Sequence, residues 1–285
     1  MSSQEFFQVY GYWSNWDYKL NIVFLAIGIL YVWLTGPFRK RFKDAELVPG
    51  WKKFCFLSGL IIYFFALGSP LNLMAHELFS MHMMQMSLLY FAVPPLLLLG
   101  MPAYLLRPVV NLKVVRGIIR FFTKPLFSVF FFNGLISFYH VPVVFDKIMK
   151  EHLLHNLSHG ILLFAALCMW WPIIGPIPEW DRIKPIPKLG LIFANGILLT
   201  PACAMITFTD VVLFQSYMEM SQVFPVMSPI HDQQLGGVIM KIMQEIVYIT
   251  AIGLVFLKWL RQERAKDEAE LREWQQQNQM KLRES

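Results

Sequence analysis

The residue types best suited to metal chemistry in this chain are histidine and methionine, of which it contains 7 and 16. In the segment HLLHNLSH, His152, His155 and His159 stand at positions i, i+3 and i+7, a spacing that places them on one face of a helix. In the segment HMMQM, His82 and Met86 are one helical turn apart. Imidazole and thioether together form a ligand set typical of copper, especially Cu(I). The spacing therefore predicts a copper site.

Other ligand chemistries fit the sequence less well. Zinc accepts imidazole, but methionine adds nothing to a zinc site. Hard cations prefer carboxylates, which are few near these segments. A lone histidine usually serves as a polar anchor, and a methionine in a span usually packs, so the prediction rests on the combined pattern. The predicted ligands are His82, Met86, His140, His155, His159 and Met240, with His76, His152, His231, Asp232 and Gln85 as accessory residues.

The composition indicates that membrane helices position these side chains. The chain of 285 residues is 56% hydrophobic and 15% charged, with a mean hydropathy of +0.48, whereas a soluble domain has about 25% charged residues. A membrane span needs roughly 20 apolar residues. Seven segments satisfy this requirement and predict an all-α protein with seven transmembrane helices, at approximately 20–36, 54–71, 78–100, 125–142, 153–174, 189–208 and 235–259.

The distribution of basic residues predicts the orientation of these spans. Of the 25 lysines and arginines, 21 fall in the segments 37–53, 101–124 and 175–188 and in the chain from residue 258 onward. The positive-inside rule then places the N-terminus outside and the C-terminus in the cytoplasm. This asymmetry explains the pI of about 9.2 without a nucleic-acid partner. It also places all seven histidines on the outer side.

The chain is therefore expected to consist of two parts. Residues 1–259 form a seven-span domain with the His/Met site on its outer side, and residues 260–285 form a charged cytoplasmic tail, either helical or disordered. No HExxH, G-x-G-x-x-G or Walker pattern occurs, and no Ser/His/Asp order suggests a triad, so the sequence favours a non-enzymatic role. Cys55, Cys168 and Cys203 lack CxxC spacing, which excludes a cysteine-type zinc site.

Two features inside the predicted spans have alternative interpretations. Lys241 and Glu245, at i and i+4 in the seventh span, either pair with each other or relay protons or metal. Pro94 and Pro95 in the third span, like Pro201 in the sixth, predict a kink or a break because proline removes a backbone hydrogen bond.

Five sequence blocks resemble the CtaG family of membrane-integral assembly factors for caa3-type cytochrome c oxidase in Gram-positive bacteria. In chain order they are GSPL, FSMHMMQM running into VPPLLLLGMP, FYHVP, HNLSHGILLFAALCMWWPI and SPIHDQQLGGVIM. Their order and spacing cover nearly the whole chain. The resemblance implies a seven-span protein of the bacterial plasma membrane that helps to place copper at the CuB centre of oxidase subunit I.

By motif position, the resemblance carries over His82, His140, His155, His159 and Asp232 as polar residues of the family's site, followed by Met240 in the same block. The chain departs from the family at Met86, where many members have a second histidine. Many members also have apolar residues at the positions of Lys241 and Glu245.

Two further functions remain open from the sequence. A haem-binding redox protein would use histidines on facing helices as axial ligands. A copper transporter would need soft ligands through the full depth of the membrane, whereas the inner halves of the spans hold few, among them Cys168 and Met169.

Overall fold

The structure is a computed structural model, and it describes residues 8, 11–42, 45–181, 183–220 and 227–284. In this part of the chain every regular element is helical. From residue 18 onward the described residues form thirteen α-helices. In chain order they are α1 Tyr18–Thr35, α2 Gly50–Gly68, α3 Pro70–Glu77, α4 Phe79–Ser87, α5 Val93–Gly100, α6 Ala103–Val110, α7 Lys113–Phe122, α8 Pro125–Tyr139, α9 Pro142–Lys150, α10 His152–Ile174, α11 Pro185–Phe208, α12 Gln215–Met220 and α13 Pro229–Glu284.

The predicted all-helical membrane fold is confirmed. Six helical stretches are long and apolar enough to cross a membrane, namely α1, α2, α4 with α5, α10, α11 and α13. A seventh span results if α7 and α8, which meet at a bend of 76°, count as one. The chain therefore has the helices of a multi-pass membrane protein.

The fourth span differs most from the sequence prediction of 125–142. Helix α8 has 15 residues, about 22 Å at 1.5 Å per residue, which is shorter than a hydrocarbon core of about 30 Å. The sequence prediction leaves the preceding α7 outside the spans, because basic residues among the apolar ones interrupt any long hydrophobic run there.

The third span passes its two prolines without ending. A π-helical turn, Leu88–Ala92, lies between α4 and α5, and Pro94 and Pro95 follow in the first turn of α5. Each proline lacks an N–H donor for a helical hydrogen bond. The π-helical turn is wider than an α-helical turn and shifts the pairing of backbone donors and acceptors just before the two prolines. Pro201 lies within α11, which continues to Phe208.

The third span is also the centre of the bundle. Of its most apolar stretch, 67% is buried inside the protein, against 17% for α1. The main core surrounds it and includes Phe79, Phe91, Phe132 and Trp170. A smaller core of Phe24, Tyr31, Phe56 and Leu60 fixes α1 against α2. The interior position of this span places any side chain of α4 among several neighbouring helices.

The last helix is longer than its predicted span. Helix α13 begins at Pro229 and runs through the charged residues to Glu284. The segment 260–284 is therefore helical, one of the two forms expected for the tail.

Gly100 permits a close backbone approach between α5 and α2. A Cβ atom at Gly100 would lie 2.5 Å from the Phe56 backbone nitrogen and 2.6 Å from the Lys52 carbonyl oxygen. The Tyr31 hydroxyl donates a 2.7 Å hydrogen bond to the Gly100 carbonyl at the same contact. Since backbone atoms cannot rotate away, a side chain here must push the two helices apart.

We therefore expect Gly100→Ala to lower the free energy of unfolding by about 2 kcal/mol, the range of overpacked cores. Thermal unfolding in detergent, followed by circular dichroism, measures the change. Gly134→Ala in α8 is the matched control, because nothing lies within 4 Å of its added Cβ and alanine favours a helix interior. Equal melting temperatures for the two variants would contradict the close approach.

Candidate metal centre

Four helices bring histidines to one end of the bundle. His76 lies on α3, His82 in the first turn of α4, and His155 and His159 in the first two turns of α10. His140 directly follows the last residue of α8. These five residues include four of the predicted ligands and one accessory residue.

The imidazole rings on these helices lie close together. The ring centroids of His155 and His159 are 4.4 Å apart, and those of His76 and His155 are 5.2 Å apart. His82 lies 5.9 Å from His159 and 6.3 Å from His155. Two imidazoles bound to one ion, with metal–nitrogen distances of about 2.0 Å, have centroids roughly 4.5–6 Å apart. The separations of 5.2 Å and 5.9 Å fall within this range, whereas those of 4.4 Å and 6.3 Å lie just outside it.

Two tyrosines hold the histidine rings in place. The Tyr90 hydroxyl lies 2.8 Å from Nδ1 of His159, and the Tyr139 hydroxyl lies 3.2 Å from Nε2 of His82. The Tyr139 ring also lies between His82 and His140, at centroid distances of 6.1 Å and 5.3 Å. Tyr139 therefore connects His140 to the other histidines.

The hydrogen bond of His140 determines which ring nitrogen carries the proton. Its Nδ1 lies 2.7 Å from the Ile136 carbonyl oxygen, and a carbonyl can only accept, so Nδ1–H must donate. In a neutral imidazole Nε2 is then a free lone pair, the form that binds metals. This Nε2 is buried and has no hydrogen-bond partner among the described residues.

His155 and His159 show the same feature at Nε2. Both atoms are buried, and neither has a hydrogen-bond partner within the described part of the chain. Buried polar atoms are normally paired, so each exception needs a reason. Three unpaired imidazole nitrogens thus lie at one end of the bundle, among ten buried side-chain atoms without a hydrogen-bond partner in the described residues.

His76 lies outside the spans and lines the same cluster. Burial lowers the pKa of its imidazole, and the neighbouring His152 lowers it further. A lowered pKa leaves the ring neutral at pH 7, with a lone pair available to a metal ion.

The histidine rings approach one another without forming a complete metal site. Within the residues that the structure describes, no group of three or more His, Cys, Asp or Glu side chains is arranged to hold a metal ion. The rings are therefore close, but their donor atoms do not meet at one point.

The remaining predicted site residues have other surroundings. Met86 and Met240 are fully buried in the main core. Gln85 donates 2.8 Å hydrogen bonds to the Ala66 carbonyl and to Asn72, which connects α4 to α2 and α3. His152 and His231 are exposed, the latter in the first turn of α13.

Asp232 serves as a helix cap. Its two carboxylate oxygens accept hydrogen bonds from the backbone N–H groups of Phe79 and Ser80, at 2.7 Å and 3.2 Å. These groups are the first two of α4, whose own preceding residue, Leu78, supplies no side-chain cap. An aspartate from α13 thus completes the start of the helix that carries His82.

Lys241 and Glu245 form an ion pair at 2.7 Å. The Lys241 ammonium also donates to the Thr200 hydroxyl and the Gly196 carbonyl on α11, at 3.0 Å and 3.3 Å. The pair therefore joins α13 to α11.

The comparison with known proteins gives relatives but no structural template. The chain is 24% identical over 270 residues to an uncharacterised protein of Mycobacterium leprae, covering 87% of this chain and 40% of the relative. Uncharacterised proteins of Mycobacterium bovis and Mycobacterium tuberculosis are each 25% identical over 262 residues, covering 85% of this chain and 38% of the relatives. The chain spans about two fifths of the length of these relatives. No solved structure matches it.

A family model provides the assignment. The model of the cytochrome c oxidase caa3 assembly factor family matches residues 29–262, which contain all the histidines of the cluster. Since this match extends over most of the chain, the protein belongs to the Caa3_CtaG family of cytochrome c oxidase caa3 assembly factors.

Proposed function

We propose that this protein assists the assembly of a caa3-type cytochrome c oxidase by receiving copper at the histidine cluster and passing it to the CuB centre of subunit I. The membership in an oxidase assembly family supports the process. The histidine cluster supports copper as the ion that is received. In the orientation that the basic residues predict, this cluster lies on the outer side of the membrane.

The observation that carries this proposal is the set of three buried Nε2 atoms on His140, His155 and His159 that lack hydrogen-bond partners in the described residues. Tyr90 and the Ile136 carbonyl occupy the Nδ1 atoms of His159 and His140. Contacts of this kind orient metal-binding histidines and increase their affinity. The carbonyl contact leaves Nε2 of His140 as the lone pair, and Nε2 of His159 is the lone pair when its Nδ1–H donates to the Tyr90 oxygen.

The cluster suits cargo better than a permanent cofactor. Imidazole is a ligand that suits copper, whereas the thioethers of Met86 and Met240 lie in the main core. No three His, Cys, Asp or Glu side chains among the described residues are arranged to hold an ion, so the cluster lacks the closed coordination shell that would retain one. His76 and His82, next to the two contacting histidines of α10, offer further donors through which Cu(I) can be exchanged stepwise.

Anaerobic titration of the purified protein with Cu(I), against a chromogenic Cu(I) chelator, tests the proposal. We expect the wild type to bind Cu(I), and the double variant His155→Ala, His159→Ala to lose affinity roughly 10- to 100-fold or more. His231→Ala is the matched control, because this histidine is exposed and lies on α13. Equal affinity in the double variant and the wild type would overturn the proposal.

The same sample separates the alternative functions. A Soret band in the visible spectrum would identify the haem-binding protein, and a colourless protein excludes it. Copper uptake into sealed vesicles without an oxidase would indicate a transporter.

A further inference from the structure

Helix α7 and its surroundings form a surface that contributes no residue to the histidine cluster. The segment 101–124 contains five basic residues and no acidic residue. In α7, Lys113, Arg116 and Arg120 are spaced at i, i+3 and i+7, which places them on one face of the helix. Lys124 follows just after its end.

The opposite side of α7 is apolar and remains uncovered. Val114, Ile118 and Phe121 are exposed, Val114 to 73%. At 100° per residue these three side chains lie within about 60° of one another and point away from the basic face. A helix with one basic face and one exposed apolar face is typical of helices that lie in a membrane surface.

The angle between helices supports the same placement. Helix α7 turns by 76° from α8. If α8 runs across the membrane, α7 runs nearly along its surface. Because α7 ends just before α8 begins, α7 then lies at the level of the lipid headgroups.

Neighbouring residues hold this surface in shape. The Arg116 guanidinium donates to the carbonyl and the side-chain oxygen of Asn111, at 3.1 Å and 3.0 Å. Arg120 lies over the Trp180 ring at 5.1 Å. The adjacent Glu179 pairs with Arg107 of α6. Lys113, Arg120 and Lys124 are exposed, so their charges remain available to a ligand.

We propose that α7 is a binding surface for anionic phospholipids, whose phosphates contact Lys113, Arg120 and Lys124 while their acyl chains cover Val114, Ile118 and Phe121. The occupant follows from charge complementarity, because Lys113, Arg120 and Lys124 form no ion pair among the described residues and attract an anion. An apolar face beside the cations requires a ligand with hydrocarbon chains, which inorganic phosphate lacks. The surface lies at the end of α8 remote from His140, so the inference does not depend on copper binding.

Native mass spectrometry of the detergent-purified protein, titrated with dioleoyl phosphatidylglycerol or dioleoyl phosphatidylcholine, tests this surface. We expect the wild type to prefer phosphatidylglycerol. The triple variant Lys113→Gln, Arg120→Gln, Lys124→Gln is expected to lose this preference by roughly fivefold for each cation removed, with binding of phosphatidylcholine unchanged.

The matched control is Arg264→Gln, Lys266→Gln, Arg272→Gln, which removes the same charge from exposed positions on α13 and is expected to behave like the wild type. A second measurement uses the unchanged protein. Raising the salt from about 0.05 M to about 0.5 M should weaken the preference for phosphatidylglycerol, because salt screens exposed charges. No preference in the wild type, or equal losses in the two triple variants, would overturn the proposal.

Discussion

Replacing Asp232 with alanine is expected to lower the free energy of unfolding by about 3 kcal/mol. The carboxylate is 2% exposed and accepts hydrogen bonds from the backbone N–H groups of Phe79 and Ser80. Without it, two buried donors lose their acceptor, and each such loss costs about 1–3 kcal/mol. The positive end of the α4 dipole also loses its negative partner. Thermal unfolding in detergent measures the effect.

Asp146 provides the matched control for this variant. Its carboxylate accepts hydrogen bonds from the backbone N–H groups of Gln215 and Ser216, at 3.2 Å and 3.0 Å. The cap is thus chemically the same, but Asp146 is half-buried, and water can replace it. We expect Asp146→Ala to cost about 1 kcal/mol.

The Asp232 variant also separates a cap from a ligand. For a cap, the folded variant should bind the same amount of Cu(I) as the wild type while melting at a lower temperature. Loss of Cu(I) at an unchanged melting temperature would show that Asp232 coordinates the ion.

The glycines after Asp232 explain why this cap can form across helices. A Cβ at Gly236 would lie 2.5 Å from the Phe79 ring, and one at Gly237 would lie 3.1 Å from the Thr207 backbone nitrogen. Without side chains at these positions, α13 approaches α4 on one side and α11 on the other. The block DQQLGG therefore positions the start of α4, and with it His82.

The spans were predictable because continuous hydrophobicity is a local property of the sequence. Six predicted spans correspond to long apolar helices. The fourth span corresponds only in part, because α8 has only 15 residues. The helix before it, α7, contains basic residues, so it does not form a continuous hydrophobic segment. The angle of 76° between α7 and α8 depends on tertiary packing, which no local pattern reports.

The candidate site was predictable only in part. The spacing of His155 and His159 implies a shared helix face, and their rings are in contact. Tyr90 and Tyr139 were not predicted, because tyrosine is common in membrane helices and has no metal-binding spacing. Tyr139 directly precedes His140 in FYHVP, which was the one available signal. The exposure of His231 could not be derived either, since the neighbouring Asp232 points inward.

Removing the two contacting histidines is expected to impair oxidase maturation in cells strongly. In a bacterial host that makes a caa3-type oxidase but no other member of this family, His155→Ala, His159→Ala should reduce oxidase activity roughly tenfold or more, since the first metal ligands are lost. The measurement is oxygen consumption by isolated membranes with reduced cytochrome c, normalised to the amount of variant protein detected in the same membranes.

Two comparisons make this result specific to copper transfer. His231→Ala, an exposed histidine, should support full oxidase activity. Excess copper in the medium should restore part of the activity in the double variant, because mass action replaces a weakened delivery step. Full activity in the double variant would show that copper reaches the oxidase by another route. A loss that copper does not relieve would instead point to a structural role for the cluster, since His155 and His159 pack between α3, α4 and the tyrosines.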